Sequence, residues 1–310
     1  MLRFTMRQLE YFVAVGDCGS VTLAAEKVNV SAPSVSSAIS QLEAELGLPL
    51  FVRRHAQGLS LTTGGKALFA QAQVVLREAD KMVHIAGDIS GEMRGPLTVG
   101  GMVSFAQVVL PAMRRAYEAV APEVKFSQIE LDQNGIFSAL RRAEIDIALS
   151  YDLGIPPDMD FIPLIGMPAY VMVSGGSPLA SRSSVAPEEL VSLPMVLLDL
   201  PYSADYFLSF FEHLPERPTI VERTRDIAVL RSLVGHDFGF GLVNMRPLND
   251  LSPDGKPLAF VPLETDLPTL QMGLSMMKGA DSTQVVKHFV NFAKEWTTEG
   301  RMPRVMPEKK

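Results

Sequence analysis

The sequence predicts a chain of two parts: a mainly α winged helix-turn-helix at the N-terminus and, beyond a long linker helix, an α/β domain. Three observations lead there. Apolar residues recur at helical spacing between Arg7 and Leu46, interrupted by two short turns. A heptad of apolar positions then runs to Ile89. After Gly95-Pro96, strand-like and helix-like patterns alternate to the end of the chain.

The first helix is expected over Arg7–Cys18, with Leu9, Phe12, Val13 and Gly16 forming its apolar stripe. Gly19 breaks it, and Ser20 can cap the second helix, Val21–Val28, whose Ala24-Ala25 pair lets a neighbour approach closely. Asn29-Val30 turns the chain. Ser31 can cap a third helix with Pro33 in its first turn, where the missing N–H costs nothing. Val35, Ile39, Leu42 and Leu46 line its inner face. Ser34, Ser37 and Gln41 point the other way, with Ser36 and Ser40 on the flanks, and Gly47 stops the helix. A helix, short turn and helix with such an outer face fits a helix-turn-helix, whose second helix offers side chains to base edges in a major groove. Leu50–Leu61 reads as a hairpin with a polar tip carrying Arg53, Arg54 and His55, placed for phosphates or a minor groove.

In the linker helix, Leu68, Ala72, Val75, Ala79, Met82, Ala86 and Ile89 recur at steps of four and three, a seam suited to pairing with a second copy. A dimer would set two recognition helices about 34 Å apart, one DNA turn. The α/β part offers strand patterns at 97–100, 125–131, 145–150, 169–174, 195–199, 219–222, 240–243, 258–262 and 270–276. Helix patterns fall at 108–119, 136–143, 188–193, 206–213, 227–234 and 283–296. The alternation argues mostly parallel sheets, which bind ligands beyond the carboxyl ends of strands. Residues just after strands are therefore the candidates for a small-molecule site: Ser104, Gln133, Asn134, Tyr202, Ser203 and Asn244. Their hydroxyl, amide and phenol groups suit a small anion or polar organic molecule.

Composition narrows the classes. A chain of 310 residues with 47% apolar content is long enough for two or three cored units. No uninterrupted apolar stretch reaches ~18 residues, so no membrane span is expected. The polar start Met1–Gln8 does not suit a signal peptide, so a cytoplasmic location is expected. A single cysteine, Cys18, excludes an internal disulfide and a Cys-based zinc site. The five histidines, His55, His84, His213, His236 and His288, lack ligand spacing, so neither metal nor cofactor is expected. No Gly-x-Ser-x-Gly elbow, His-Glu-x-x-His or Walker loop occurs, and a catalytic role is not expected. The glycines of Gly235–Leu242 follow a helix and precede a strand, the reverse of a dinucleotide loop. The rival reading is an α/β small-molecule-binding protein or enzyme without a DNA role. Net charge is −7, but residues 1–91 hold eight basic and eight acidic side chains against 20 and 27 beyond. A DNA argument must rest on where the positive groups sit.

Met6–Gly65 resembles the DNA-binding domain of LysR-type transcriptional regulators. The matching residues are Leu9-Glu10-Tyr11-Phe12, Ala24-Ala25, Val30-Ser31, Pro33-Ser34-Val35-Ser36, Ile39, Leu42-Glu43, Glu45-Leu46-Gly47, Leu50-Phe51-Val52-Arg53-Arg54 and Leu61-Thr62 with Gly64 or Gly65. The resemblance implies DNA contacts from Ser31, Ala32, Pro33, Ser34, Ser36, Ser37, Ser40, Gln41, Arg53, Arg54 and His55. It departs at Ala32, where the family often has Gln, and at Ser37, where a larger polar residue is common. Both changes remove a candidate bidentate base contact and leave more to DNA shape and the wing. The resemblance also implies an effector domain built like a periplasmic binding protein, with two Rossmann-like lobes joined by two crossover strands. It divides the chain into a winged helix-turn-helix over 1–62, a dimerising linker helix over 63–91 and an effector domain over 92–310. Lobe one takes 95–167 and 268–300, and lobe two 168–267. Implied partners are double-stranded promoter DNA, a small organic acid and a second copy of the chain, commonly within a tetramer, with RNA polymerase as a further candidate.

Overall fold

The computed structural model describes residues 3–54, 58–89, 93–247, 249–280 and 283–298. They form two compact units, the first holding the chain up to Glu92 and the second nearly all of the rest.

In the first unit, helix α1 (Met6–Cys18) starts at a capping box: Gln8 N–H donates to the Thr5 hydroxyl, and Thr5 N–H to Gln8 Oε1 at 2.8 Å. Helix α2 (Val21–Lys27) is capped by Ser20, and helix α3 (Ala32–Leu46) by Ser31 with Pro33 in its first turn. Strands β1 (Phe51–Arg54) and β2 (Gly58–Leu61) form an antiparallel hairpin, and helix α4 (Thr63–Ile89) follows. The core gathers Leu9, Phe12 and Val15 of α1, Ala24 and Ala25 of α2, and Val35, Ile39 and Leu42 of α3. Gly16 is what lets α4 come close: a Cβ there would stand 2.3 Å from the Phe69 ring.

The first part of the α4 seam packs on the head. Ala72 is buried, and Leu68 and Val75 are half-buried, against the head's own core. Only farther along does a seam side chain stand free in the chain, Met82 at 71% exposure. The side chains of Ala86 and Ile89 lie outside the described residues. A heptad reports an apolar stripe, not which body covers it.

The second unit contains two sheets' worth of core. Strands β3 (Gly95–Met102), β4 (Val124–Leu131), β5 (Ile147–Tyr151) and β6 (Met159–Met167) join a late strand, β12 (Leu270–Met277), in the order β4-β3-β5-β12-β6. Helices α5 (Val103–Val108), α6 (Leu110–Val120), α7 (Gln133–Arg141) and α10 (Gln284–Thr298) accompany this first lobe. Tyr117 sits at its centre, with the Phe126, Phe289 and Phe292 rings 5.0–6.0 Å away. Burial pushes its phenol up to about 12. The second lobe places β7 (Tyr170–Ser174) between β10 (Gly241–Val243) and β11 (Leu258–Pro262). Strands β8 (Met195–Leu198) and β9 (Ile220–Thr224) extend it through a bridge from Met195 to Phe240, with helices α8 (Ser203–Ser209) and α9 (Ile227–Gly235). The chain passes between lobes twice, from β6 to β7 and from β11 to β12.

Several expectations are corrected. The sheets are mixed, because β12 and β7, the strands that follow the crossings, run antiparallel to both of their neighbours. Strand β6 escaped sequence reading because Pro163 and Gly166 interrupt its pattern; it is an edge strand, where a missing N–H costs little. The helix expected at 188–193 is a single 3₁₀ turn, Pro187–Glu189. The helix expected at 206–213 begins earlier, at Ser203.

Candidate nucleic-acid and effector sites

Helix α3 turns its apolar stripe inward and leaves a polar row outside. Ser31, Pro33, Ser34, Ser36, Ser37, Ser40 and Gln41 are all exposed, and Ala32 is half-buried. The hydroxyls of Ser31 and Ser34 lie 2.7 Å apart, and Gln41 Oε1 accepts from Gln8 Nε2 at 3.2 Å, which ties the row's far end to α1. The row carries no basic residue. Arg53 and Arg54 end β1 of the hairpin, paired through the backbone with Leu59 and Gly58. Their side chains, and His55 altogether, lie outside the described residues. Glu43, which sequence reading did not single out for a role, locks hairpin to helix: its Oε1 accepts from the N–H of Leu50 at 2.7 Å and of Phe51 at 3.3 Å. The base of the hairpin is thus tied to α3.

Between the lobes lies a cleft of about 780 Å³, counting its open mouth. Of the residues expected there, Ser104, Ser203 and Asn244 line it. Ser104 hydrogen-bonds the Tyr151 phenol, which burial pushes up against that bond. Asn244 Nδ2 donates to the Met167 carbonyl at 2.9 Å and to the Tyr206 hydroxyl at 3.4 Å, so it pins lobe two to the end of β6. Burial raises the Tyr206 phenol too, with the Asn244 bond opposing. Both phenols therefore stay neutral at ordinary pH. The rest of the wall is chiefly apolar, including Met102, Val108, Leu198, Phe207 and Phe260.

Gln133, Asn134 and Tyr202 do not line it. Gln133 is buried: its Nε2 donates to the carbonyls of Tyr151 and Leu153 in the turn after β5, each at 2.9 Å, and its Oε1 has no partner among the described residues. Asn134 is exposed. Tyr202, at φ 63°, is held in left-handed backbone and turns its ring toward lobe one, 6.0 Å from Phe137. It also covers Gly154, where a Cβ would lie 2.3 Å from the ring, so only glycine fits under it. Sequence reading missed Gln107, Tyr151, Tyr206, Arg225 and Arg231, all of which line the cleft. They come from four separate segments, and no spacing links those segments.

Residues 6–66 match the bacterial regulatory helix-turn-helix protein, lysR family, and residues 90–298 match the LysR substrate binding domain. The chain belongs to the LysR family. Over 293 residues this LysR-type regulator is 28% identical to the Hca operon transcriptional activator HcaR of Escherichia coli strain K12, covering 94% of this chain and 97% of that one. It also resembles the crystal structure of HinK, a LysR family transcriptional regulator from Pseudomonas aeruginosa. The identity is 28%, the TM-score 0.64, and the match covers 95% of this chain and 99% of HinK. CbnR complexed with its target DNA shares the fold alone, at 20% identity and TM-score 0.70 over 94% of this chain and 99% of that one. The LysR-type chain is thus a DNA-binding transcription regulator with an effector-binding domain. Among its described residues no helix is long and apolar enough to cross a membrane.

Proposed function

We propose that this regulator reads its operator with the exposed row Ser31–Gln41 in a major groove and holds neighbouring phosphates with Arg53 and Arg54. It answers a small organic acid bound between its lobes. A second copy pairs along the outer part of α4, where Met82 is exposed, and pairs of dimers form a tetramer. DNA, this effector and RNA polymerase in the cytoplasm are its partners, and it catalyses no reaction. The effector shifts the regulator between two arrangements on DNA because it binds one more tightly.

The observation that carries the DNA reading is the α3 row itself. A line of exposed small hydroxyl and amide groups adds nothing to the apolar core of the head, and it sits on a helix tied to an arginine-bearing hairpin. The test is retardation of the regulator's own promoter fragment over a salt series. Arg53→Ala should weaken binding to all sequences and flatten the slope of log affinity against log salt by about one. Ser37→Arg should instead change the ranking of operator variants. Equal losses on every fragment for both variants would contradict the division of roles. An effector that leaves the footprint and DNA bend unchanged would contradict the response.

A further inference from the structure

The charged groups of the cleft wall are of one sign. Among the described residues that line it, Arg225 and Arg231 are cationic and no carboxylate is present. Arg231, on α9, uses Nη2 for the backbone carbonyls of Asn249, at 2.7 Å, and Leu251. These are dipoles, not counter-charges. Its Nε is buried and has no partner among the described residues, and burial pushes the guanidinium below its ordinary range, with Asp250 opposing.

Arg225, on the turn between β9 and α9, has a counter-charge on the other lobe. Its Nη2 stands 3.5 Å from Asp132 Oδ2. Asp132 joins β4 to α7 in lobe one, and its other oxygen accepts the Gly135 N–H at 2.7 Å, which fixes the carboxylate. One guanidinium therefore both lines the ligand space and bridges the lobes. The pair is solvent-facing, with 69% of the Arg225 side chain and 31% of the Asp132 side chain exposed. A pair of that kind is weak and easily exchanged.

We propose that Arg225 is shared in turn between Asp132 and the effector. The effector is a monoanionic carboxylate on an apolar, ring-sized body. The body lies against Met102, Leu198, Phe207 and Phe260, while the carboxylate takes Arg225 away from Asp132. Arg231 adds the second positive charge behind it. Binding the anion and releasing the inter-lobe tie are then one event, which gives the effector the differential affinity for two lobe arrangements that a switch requires. This rests on the reading that the effector binds between the lobes.

The test is calorimetric titration of the full-length chain with sodium benzoate and with benzamide, its neutral near-isostere. Benzoate should bind at least tenfold more tightly than benzamide. Arg225→Gln should remove most of that difference, leaving what Arg231 supplies. Asp132→Asn keeps the oxygen that accepts from Gly135 but removes the charge. It should tighten benzoate by up to about fivefold, the range for a solvent-facing ion pair, and leave benzamide unchanged. Benzoate affinity that is unchanged or weaker in Asp132→Asn overturns the exchange. Benzamide binding as tightly as benzoate overturns the charge role while leaving the cleft as the effector site. Silence of both probes overturns the ligand class. Ser104→Phe, which narrows the cleft, should abolish benzoate binding. Persistence there would overturn the cleft reading itself.

Discussion

On α3 the exposed side chains of the row are small, uncharged and wet, whereas the cleft wall sets two phenols, two amides and two guanidinium groups among aliphatic and aromatic side chains. The two surfaces face different physical problems. A groove reader meets a partner that carries its own charge and hydration, so affinity can come from arginines beside the row and discrimination from small groups and bridging water. A cleft that takes a small molecule must supply its polar contacts already in place, because little water remains to complete them. Asn244 and Gln133 show what that requires: both are buried, and both donate their amide nitrogens to backbone carbonyls that hold the wall.

The comparison predicts that the two surfaces fail separately. Phe12 is 1% exposed and packs edge-on against Phe51 of the hairpin at 5.5 Å and Phe69 of α4 at 6.0 Å. Phe12→Ala should cost the head about 3–5 kcal/mol and abolish promoter retardation. Ligand titration of the same protein should be unaltered; a lost ligand response would show that the head holds the cleft in shape. Glu43→Ala should be the next largest. It strands the N–H groups of Leu50 and Phe51 and should cost about 1–3 kcal/mol in urea unfolding of the head. Operator affinity should fall while the helices keep their circular dichroism, because the hairpin loses its tie to α3.

How well the sequence discloses each surface follows from the same contrast. Helix α3 could be read in full because one helix carries the whole row, and its inner stripe, Val35, Ile39 and Leu42, fixes which side is out. Its caps, Ser31 and Gly47, are local signals too. The cleft has no such periodicity. Ser104, Ser203 and Asn244 could be proposed because each follows a strand, but Tyr202 follows one as well and turns away on a left-handed backbone. Arg225 and Asp132 are 93 positions apart in the chain, and nothing short of the fold brings them together. Strand β6 was hidden for a further reason, since an edge position tolerates the proline that sequence reading takes as a stop.

Within the cleft, Tyr206→Phe tests how much of the wall is held by single bonds. It removes a 3.4 Å contact to Asn244, which keeps its 2.9 Å bond to the Met167 carbonyl. The expected loss is about 0.5–1 kcal/mol in denaturant unfolding of the effector domain. A loss several times larger would mean that Asn244 and Tyr206 act as a cooperative unit, and the double variant with Asn244→Ala would show the coupling.

The smallest effect lies on α9, which carries both kinds of surface in one helix. Arg231 lines the cleft, while the exposed Val229 belongs to the outward side, and His236 just past the helix end holds Asp254 at 2.6 Å. The Asp254 carboxyl is lowered to about 2, first by the Ser252 hydroxyl and then by His236. A carboxyl whose folded pKa lies below its unfolded value binds protons more readily once the chain unfolds. Its stabilisation is therefore complete above the unfolded value, about 3.9, and drains away as pH falls toward about 2. Asp254→Asn should lower the melting temperature slightly at pH 6 and narrow its gap to the parent protein between pH 4 and about 2. Promoter and benzoate affinities at neutral pH should stay within experimental error of the parent, because neither the α3 row nor the cleft wall includes this pair. A gap that widened on acidification would mean that Asp254 is held by something other than its charge.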